Sequence, residues 1–420
     1  MKILHTPFDI STGGREVFIR KLIENFPDKT VEHRIMTEDE EEKTIDSDGI
    51  KVHILKKAKT KNFRYSYFSG IYDEIPGFEE LLDTYKPHIV HFHDQGISAS
   101  LSHLRICKKK GIKTLLTFHS PGQFCMQRTL RYCGQIPCNG IIDLYRCTVC
   151  SYRCAGIPYT MAKIASHLKP SIDKTGKIFK ANAVDLFYKH RKEYFETVDA
   201  IQVHAHWAEE LFLNFGINKN KIHYIEMGGQ SSIDRELWKK EVSKPIKAVF
   251  IGRCQEIKGV HLIVDAIKML PNDAPIEVHF FGPYWEKDNY GKPLLEKITG
   301  DKRFCQPRLI PQNNIREELC TMDICIIPSL WPETGPFTVF DAFSVGLPVI
   351  GTNLAGIAER VKHGENGLLF QWNDTNDLFN KLLSIIKNPE LITKLKQGIK
   401  QNHTFEQMSS SIMNIYENIL

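Results

Sequence analysis

The chain has 420 residues, 42% of them hydrophobic and 25% charged, a composition that excludes a disordered chain and gives room for two or three domains. Its 55 basic and 50 acidic residues leave a formal charge of +5, too small and too evenly spread to point to nucleic acid. No apolar run reaches the ~18 residues that a membrane helix needs, and the opening Met-Lys-Ile-Leu-His-Thr-Pro lacks a signal peptide's apolar core. The expectation is a cytoplasmic protein.

Short β-branched runs at Ile3–Thr6, Val31–Met36, Val52–Leu55, Ile89–His93, Thr114–His119 and Ala200–His204 read as strands separated by amphipathic helical patterns. A second series follows at Ile246–Gly252, Ile276–Gly282, Ile324–Pro328, Pro348–Gly351 and Gly367–Phe370. The alternation predicts parallel sheets covered by helices on both faces, and hence an α/β chain of two Rossmann-like halves. Residues 231–245 are polar and end in Pro245, as a linker would.

In open parallel sheets ligands bind beyond the carboxyl ends of the strands. The first strand leads to Gly13-Gly14-Arg15-Glu16, where glycines permit close backbone approach before a helix begins. The fourth leads to His91-Phe92-His93-Asp94 and the fifth to His119-Ser120-Pro121-Gly122. Spacing by two sends His91 and His93 to one face, and His204 and His206 likewise; each pair reads either as structural or as pocket-lining. In the second half, Gly252-Arg253 closes a strand and Lys258-Gly259 opens the next helix, so two cations converge on one rim.

Six of the eleven cysteines, at positions 125, 133, 138, 147, 150 and 154, crowd one segment. Cys147-Thr-Val-Cys150 has metal-binding spacing, and Cys125 with Cys138 or Cys133 completes a tetrahedral thiolate set. Free or redox-active thiols are the second reading, and disulfides, unusual in a cytosolic protein, the third. Earlier, Lys56 to Phe68 mixes cations with aromatics, as a solvated loop does and as a segment docking on anionic lipid does.

The stretch from Pro328 to Ile350 carries the most information. Glu333 stands in a Gly/Pro turn that opens a helix, and Asp341 follows two turns along. Backbone N–H groups at a helix start hold phosphate oxygens, and a carboxylate accepts separately from the paired hydroxyls of a ribose. A helix-start acid followed by a solvated acid is the plainer alternative.

Taken in order, Gly13-Gly14 with Glu16, His119, Gly252-Arg253 with Lys258-Gly259, and the block Pro328–Gly356 resemble the retaining nucleotide-sugar glycosyltransferases of family 4, also called group 1. The resemblance covers nearly the whole chain. It implies the GT-B fold, two Rossmann-like domains facing across a cleft. Residues 1–232 would form an acceptor domain with a Cys-rich insertion at 121–157, and 245–404 the donor domain. A final helix, 405–420, would cross back to the first domain.

The resemblance also implies roles. Arg253 and Lys258 would neutralise the leaving diphosphate, so that no catalytic cofactor is needed. Glu333 would contact the transferred sugar, the N–H groups from Gly335 through Phe337 to Thr338 would hold phosphate, and Asp341 would grip the ribose. His119 would place the reacting centre, and Gly14 would bring its N–H to phosphate or acceptor. Some members carry a comparable cysteine insertion, for which Cys125, Cys138, Cys147 and Cys150 are the closest match to a structural zinc set. The implied partners are a nucleotide-sugar donor of UDP or GDP type and a glycan, lipid-linked or other hydroxyl acceptor, with peripheral contact at the cytoplasmic face of a membrane.

Two residues depart from the family pattern: Asp341 stands where glutamate is usual, and Gly335-Pro336 replaces a frequent Phe-Gly, removing one N–H. A sugar-nucleotide epimerase of the same fold, or a non-catalytic sugar-nucleotide-binding protein, would share most of these features.

Overall fold

The computed structural model describes every residue except 8–12, 168–179, 233–237, 239–240 and 287–288. Ser11 and Thr12 and part of the 231–245 linker therefore lie outside the described residues. The chain divides into two compact units, Met1–Glu226 with Phe405–Leu420, and Met227–Thr404. Residues 227–245 group with the second unit.

In the first unit the strands are β1 (Lys2–Thr6), β2 (Glu32–Asp39), β3 (Lys43–Ser47), β4 (Ile50–Lys56), β5 (Ile89–His93), β6 (Lys113–Thr117), β9 (Ala200–Val203) and β10 (Ile222–Tyr224), in the order β10-β9-β6-β5-β1-β2-β4-β3. All neighbours are parallel except β3 with β4. Buried on both faces, β5 shows five buried residues in a row, as central parallel strands do.

The sequence patterns missed β3 and β10. The Asp48-Gly49 turn that joins β3 to β4, with φ of 57° and 79°, is the Asp-Gly hairpin signal, so β3 was legible. Three-residue β10 carries no period of its own.

The second unit has β11 (Ile246–Ile251), β12 (Ile276–Phe281), β13 (Ile324–Ile327), β14 (Val349–Thr352) and β15 (Gly367–Phe370), ordered β12-β11-β13-β14-β15 and parallel throughout. Residues 304–308 run beside β12 through the bridges Val278/Phe304 and Phe281/Arg308. Counting that segment third, the order is 3-2-1-4-5-6, the doubly wound arrangement whose reversal between the first and fourth strands opens a ligand crevice. The first unit's parallel strands follow the same order, with the reversal between β1 and β5. The Val260–Lys268 helix buries Val260, Leu262, Ile263, Val264, Ala266 and Ile267 in the second unit's core.

The amphipathic Phe405–Ile419 helix belongs to the first unit and buries Phe405, Met408, Ile412, Ile415 and Tyr416. It packs on the Gly14–Glu24 helix, where Ser409 donates to the Leu22 carbonyl at 3.3 Å. Tyr416 pairs its hydroxyl with His91 Nδ1 at 2.7 Å inside the unit. Leaving a buried polar group unpaired costs about 1–3 kcal/mol. Tyr416→Phe is expected to lower Tm by about 2–4 °C for each kcal/mol in a thermal melt. An unchanged Tm would show that the pair carries no stability.

Candidate functional site

At the reversal in the second sheet, β11 ends in Gly252-Arg253 and β13 leads to Glu333. Lys258 closes a short 3-10 turn, and Gly259 follows at φ 70°. A Cβ on Gly259 would sit 2.0 Å from the Pro328 carbonyl oxygen, so only glycine lets the two loops meet. That approach sets Lys258 Nζ 2.7 Å from Glu333 Oε1. Ser329 Oγ at 2.9 Å and Trp331 Nε1 at 2.8 Å donate to the same oxygen, and the Lys258 ammonium stands over the Trp331 ring at 5.3 Å. Burial alone would raise the Glu333 pKa, but the Lys258 charge and these three donors outweigh it and hold the carboxyl below its ordinary value. Glu333 is therefore ionised. Its backbone carbonyl accepts from Gly356 N–H at 3.0 Å, which fixes the loop.

Arg253 is exposed and has no ion pair among the described residues. The Phe337–Ser344 helix starts after Pro336 without a side-chain cap. Gly335, Phe337 and Thr338, all half-buried, form its approach and first turn. Asp341 lies one turn further on, half-buried. Burial pushes its carboxyl up to about 7, against the pull of Arg316. No hydrogen bond joins Asp341 to the Lys258–Glu333 pair among the described residues; its charged neighbour is Arg316.

In the first unit, Gly14 is the exposed first residue of the Gly14–Glu24 helix. The Glu16 carboxylate folds back over Gly13, 2.6 Å from where a Cβ would stand, and pairs with Arg15 at 2.7 Å. His119 follows β6, and its N–H donates to Asp94 Oδ1 at 2.8 Å. Asp94 was not singled out from sequence. It holds a left-handed φ of 64° at the end of β5, and burial raises its carboxyl to about 6. The left-handed region is uncommon for a non-glycine residue and best tolerated by Asp and Asn, and the sequence carries no signal for it at this position.

His119 ends a buried chain of imidazoles. His33 Nδ1 meets His5 Nε2 at 3.0 Å, His5 Nδ1 meets His93 Nε2 at 3.1 Å, and His93 Nδ1 meets His119 Nε2 at 3.1 Å. Strand register explains this, because His33 pairs with Ile3 and His5 with His91, and alternate residues share a face. His91 and His93 are thus buried on one face. His206 instead opens the His206–Asn214 helix, where it stacks on Tyr224 at 4.0 Å, because β9 stops at Val203.

A neutral imidazole donates from one nitrogen and accepts at the other. His33 Nε2 is buried without a partner, and a bare ring nitrogen there costs less than an orphaned N–H. Donation therefore runs from His33 towards His119, which accepts at Nε2.

Among the described residues, two groups hold three ligand atoms within 4.8 Å of one another and could take a metal ion: His5/His91/His93 and Glu277/His279/Cys305. Both His91 nitrogens are already engaged, with Tyr416 at 2.7 Å and Thr117 at 2.6 Å. No three of the insertion's thiols lie within this limit of one another; Cys150 is in hydrogen-bonding reach of Cys133 and Cys154, while Cys125, Cys138, Cys147 and Cys150 line one cavity of about 30 Å³ with Tyr188. The insertion also holds a small hairpin, β7 (Arg131–Tyr132) and β8 (Ile136–Pro137). N–H groups of Leu130, Gln127 and Thr129 point at the Cys125 sulfur, and Cys133 N–H reaches Cys150 Sγ at 3.1 Å.

Two family models match the chain, "Glycosyl transferases group 1" over residues 233–402 and "Glycosyltransferase Family 4" over 12–141. The chain belongs to the group 1/family 4 glycosyltransferases. Spore coat protein SA of Bacillus subtilis is 26% identical over 186 residues, 40% of this chain and 48% of that protein; the chain spans about half the length of this curated relative. A glycosyltransferase from Rickettsia africae superposes with a TM-score of 0.65 at 17% identity, covering 100% of this chain and 98% of that one. HepE of Anabaena, in complex with UDP, gives 0.64 at 14% identity over 100% of both. Likeness at such identity shows the fold: this glycosyltransferase has two Rossmann-like α/β domains of the GT-B type. No helix among its described residues is long and apolar enough to cross a membrane.

Burial first, and then the unfavourable cost of charging one ring beside another, holds His5, His91, His93 and His119 well below 6.5, with Arg15 adding to it at His93 and His119; burial and Lys29 hold His33 at about 4. The unfolded chain titrates near 6.5. Below that pH the unfolded state binds protons that the folded state refuses. Stability is thus full above about pH 6.5 and declines as pH falls towards about 4, by about 1.4 kcal/mol per pH unit for each ring that stays neutral. Urea midpoints should fall steeply through this window; a flat profile would contradict a buried neutral layer.

Proposed function

We propose that this protein transfers a sugar, with retention of anomeric configuration, from a nucleoside diphosphate donor to an acceptor hydroxyl. The observation that carries the reading is the placement of Lys258, Glu333 and Arg253 at the reversal of the second sheet, with Lys258 held 2.7 Å from an ionised Glu333. In that reading the N–H groups around Gly335, Phe337 and Thr338 hold phosphate, and Arg253 and Lys258 take up the charge that develops on the leaving diphosphate. Glu333 accepts from the transferred sugar's hydroxyls, and Asp341 holds the ribose. His119 in the first unit places the reacting centre, and Gly14 offers its N–H nearby.

The departing phosphate oxygen can take the acceptor's proton, so the dominant catalytic effect is preorganised charge. Losing one such donor typically costs about a hundredfold to a thousandfold in rate. HepE, of the same fold, binds UDP, which favours a uridine nucleotide here. The acceptor belongs to glycan, glycolipid or other glycoconjugate synthesis at the cytoplasmic face of a membrane.

The test is release of free nucleoside diphosphate from a panel of nucleotide sugars. Lys258→Ala and Arg253→Ala are each expected to lower kcat by about a hundredfold or more; Tm should change little in Arg253→Ala and fall in Lys258→Ala, where the Glu333 carboxylate loses its partner. Either variant at full activity would remove that residue from the site.

A structural zinc at Cys125, Cys138, Cys147 and Cys150 fits the cavity that these four thiols line and the N–H groups aimed at their sulfurs. The thiols would draw together around the ion, binding as thiolates and clamping the hairpin to the Leu144–Cys154 helix. Elemental analysis of untagged protein is expected to give one zinc per chain, lost on Cys147→Ser. Metal-free folded protein with every insertion thiol titratable would refute it.

A further inference from the structure

A cavity of about 690 Å³ opens at the reversal of the first unit's sheet, walled by Pro7 after β1, Asp94, Gln95 and Gly96 after β5, and Ser120 and Gln123 after β6. Three arginines also line it, Arg15, Arg128 and Arg191. Sequence reading singled out neither Arg128 nor Arg191.

The charges in this wall are not equally committed. Glu38 accepts from His103 Nε2 at 2.8 Å and from Ala58 N–H at 2.9 Å. Asp94 accepts from His119 N–H, and Asp39 from Glu40 N–H at 2.8 Å with Lys57 at 3.8 Å. Arg15 is paired with Glu16. Arg191 and Arg128, by contrast, meet only neutral acceptors among the described residues. Arg191, from the Lys180–Thr197 helix, donates to the side-chain oxygens of Gln95 and, at 3.4 Å, Gln123, while its Nε is buried without a partner. Arg128, at a left-handed φ of 62°, donates to the Tyr67 hydroxyl at 2.9 Å. Burial pushes the Arg191 guanidinium down to about 10, against the opposing pull of Tyr194 and the Asp94 carboxyl, with the Arg128 charge a smaller contribution in the same direction as burial. Of the three arginines in this wall, Arg15 has an ion pair, and Arg128 and Arg191 have none among the described residues.

We propose that this cavity binds a phosphoryl group carried by the acceptor, held by the guanidinium groups of Arg128 and Arg191. A carboxylate is satisfied by a single bidentate arginine. Two guanidiniums from separate elements match the three oxygens and nearly two charges of a phosphoryl group, and the buried, unpartnered Arg191 Nε gains an acceptor. The cavity falls in the size range of small-ligand sites, leaving space for the rest of the acceptor. Assigning the phosphoryl group to an acceptor rests on the transferase reading above; the anion site does not.

The test is binding of inorganic pyrophosphate to the full chain by calorimetry. The wild type is expected to show two sites, one lost in Arg253→Gln/Lys258→Gln and the other weakened about ten- to a hundredfold in Arg128→Gln/Arg191→Gln. The same binding curve in the latter variant as in wild type overturns the proposal. Should the double variant fail to fold, Arg128→Gln alone, at an exposed position, is expected to weaken the same site, and an unaltered curve overturns it equally. Displacement of pyrophosphate from this site by glucose 1-phosphate identifies a sugar-borne phosphoryl group, by short-chain phosphatidic acid a lipid-borne one; displacement by neither overturns the acceptor assignment. If the chain binds pyrophosphate at Arg128 and Arg191 but neither binds nor cleaves any nucleotide sugar, the transferase reading falls and the anion site stands.

Discussion

The constraint on which the structure depends is the parallel sheet buried on both faces. Such a sheet has no solvent face on which to carry chemistry, so polar work moves to the strand ends. In each unit the first strand lies inside the sheet, and the chain reverses direction beside it. Helices on the two sides of that reversal leave opposite faces, and the loops between them do not cover one another. Gly252-Arg253 and Glu333 occupy this place in the second unit; Asp94, with the arginine-lined cavity, occupies it in the first.

The two reversals solve different electrostatic problems. In the second unit a carboxylate and an ammonium share a partly buried wall, and Glu333 stays ionised only because Lys258, Ser329 and Trp331 all reach one oxygen. Removing Lys258 would strand that charge, which is why its loss should be felt at the site and not only in a ligand's affinity. In the first unit Glu38, Asp39 and Asp94 accept hydrogen bonds from within the unit, while Arg128 and Arg191, unlike Arg15, form no ion pair among the described residues. A negative ligand completes that arrangement.

A third theme is the polar layer inside the first unit. Five imidazoles kept neutral in a sheet interior are tolerable because four, His33, His5, His93 and His119, satisfy one another in sequence, and because Tyr416 and Thr117 engage both nitrogens of the fifth, His91. The layer ties the fold to His119: its ring meets His93 at the end of β5, and through it His5 and His33 from the two strands on the other side.

How much of this was legible follows from the range of each interaction. Alternating patterns located the parallel core strands and the cysteine cluster, because burial and local spacing are written in contiguous residues. The rim residues Arg253, Lys258 and Glu333 were also legible, since a parallel strand announces where it ends. The Asp-Gly turn before β4 was legible too and was passed over. Asp94's left-handed backbone, the pairing of Lys258 with Glu333 across 75 positions, and the imidazole chain were not. Neither was the meeting of Arg128 with Arg191. Sequence alone determined which segments are buried and where the strands stop, because those properties depend on neighbours along the chain. Only the tertiary structure decided which charges find partners and which remain unspent, because that depends on register between strands and on loops brought together from distant parts of the chain.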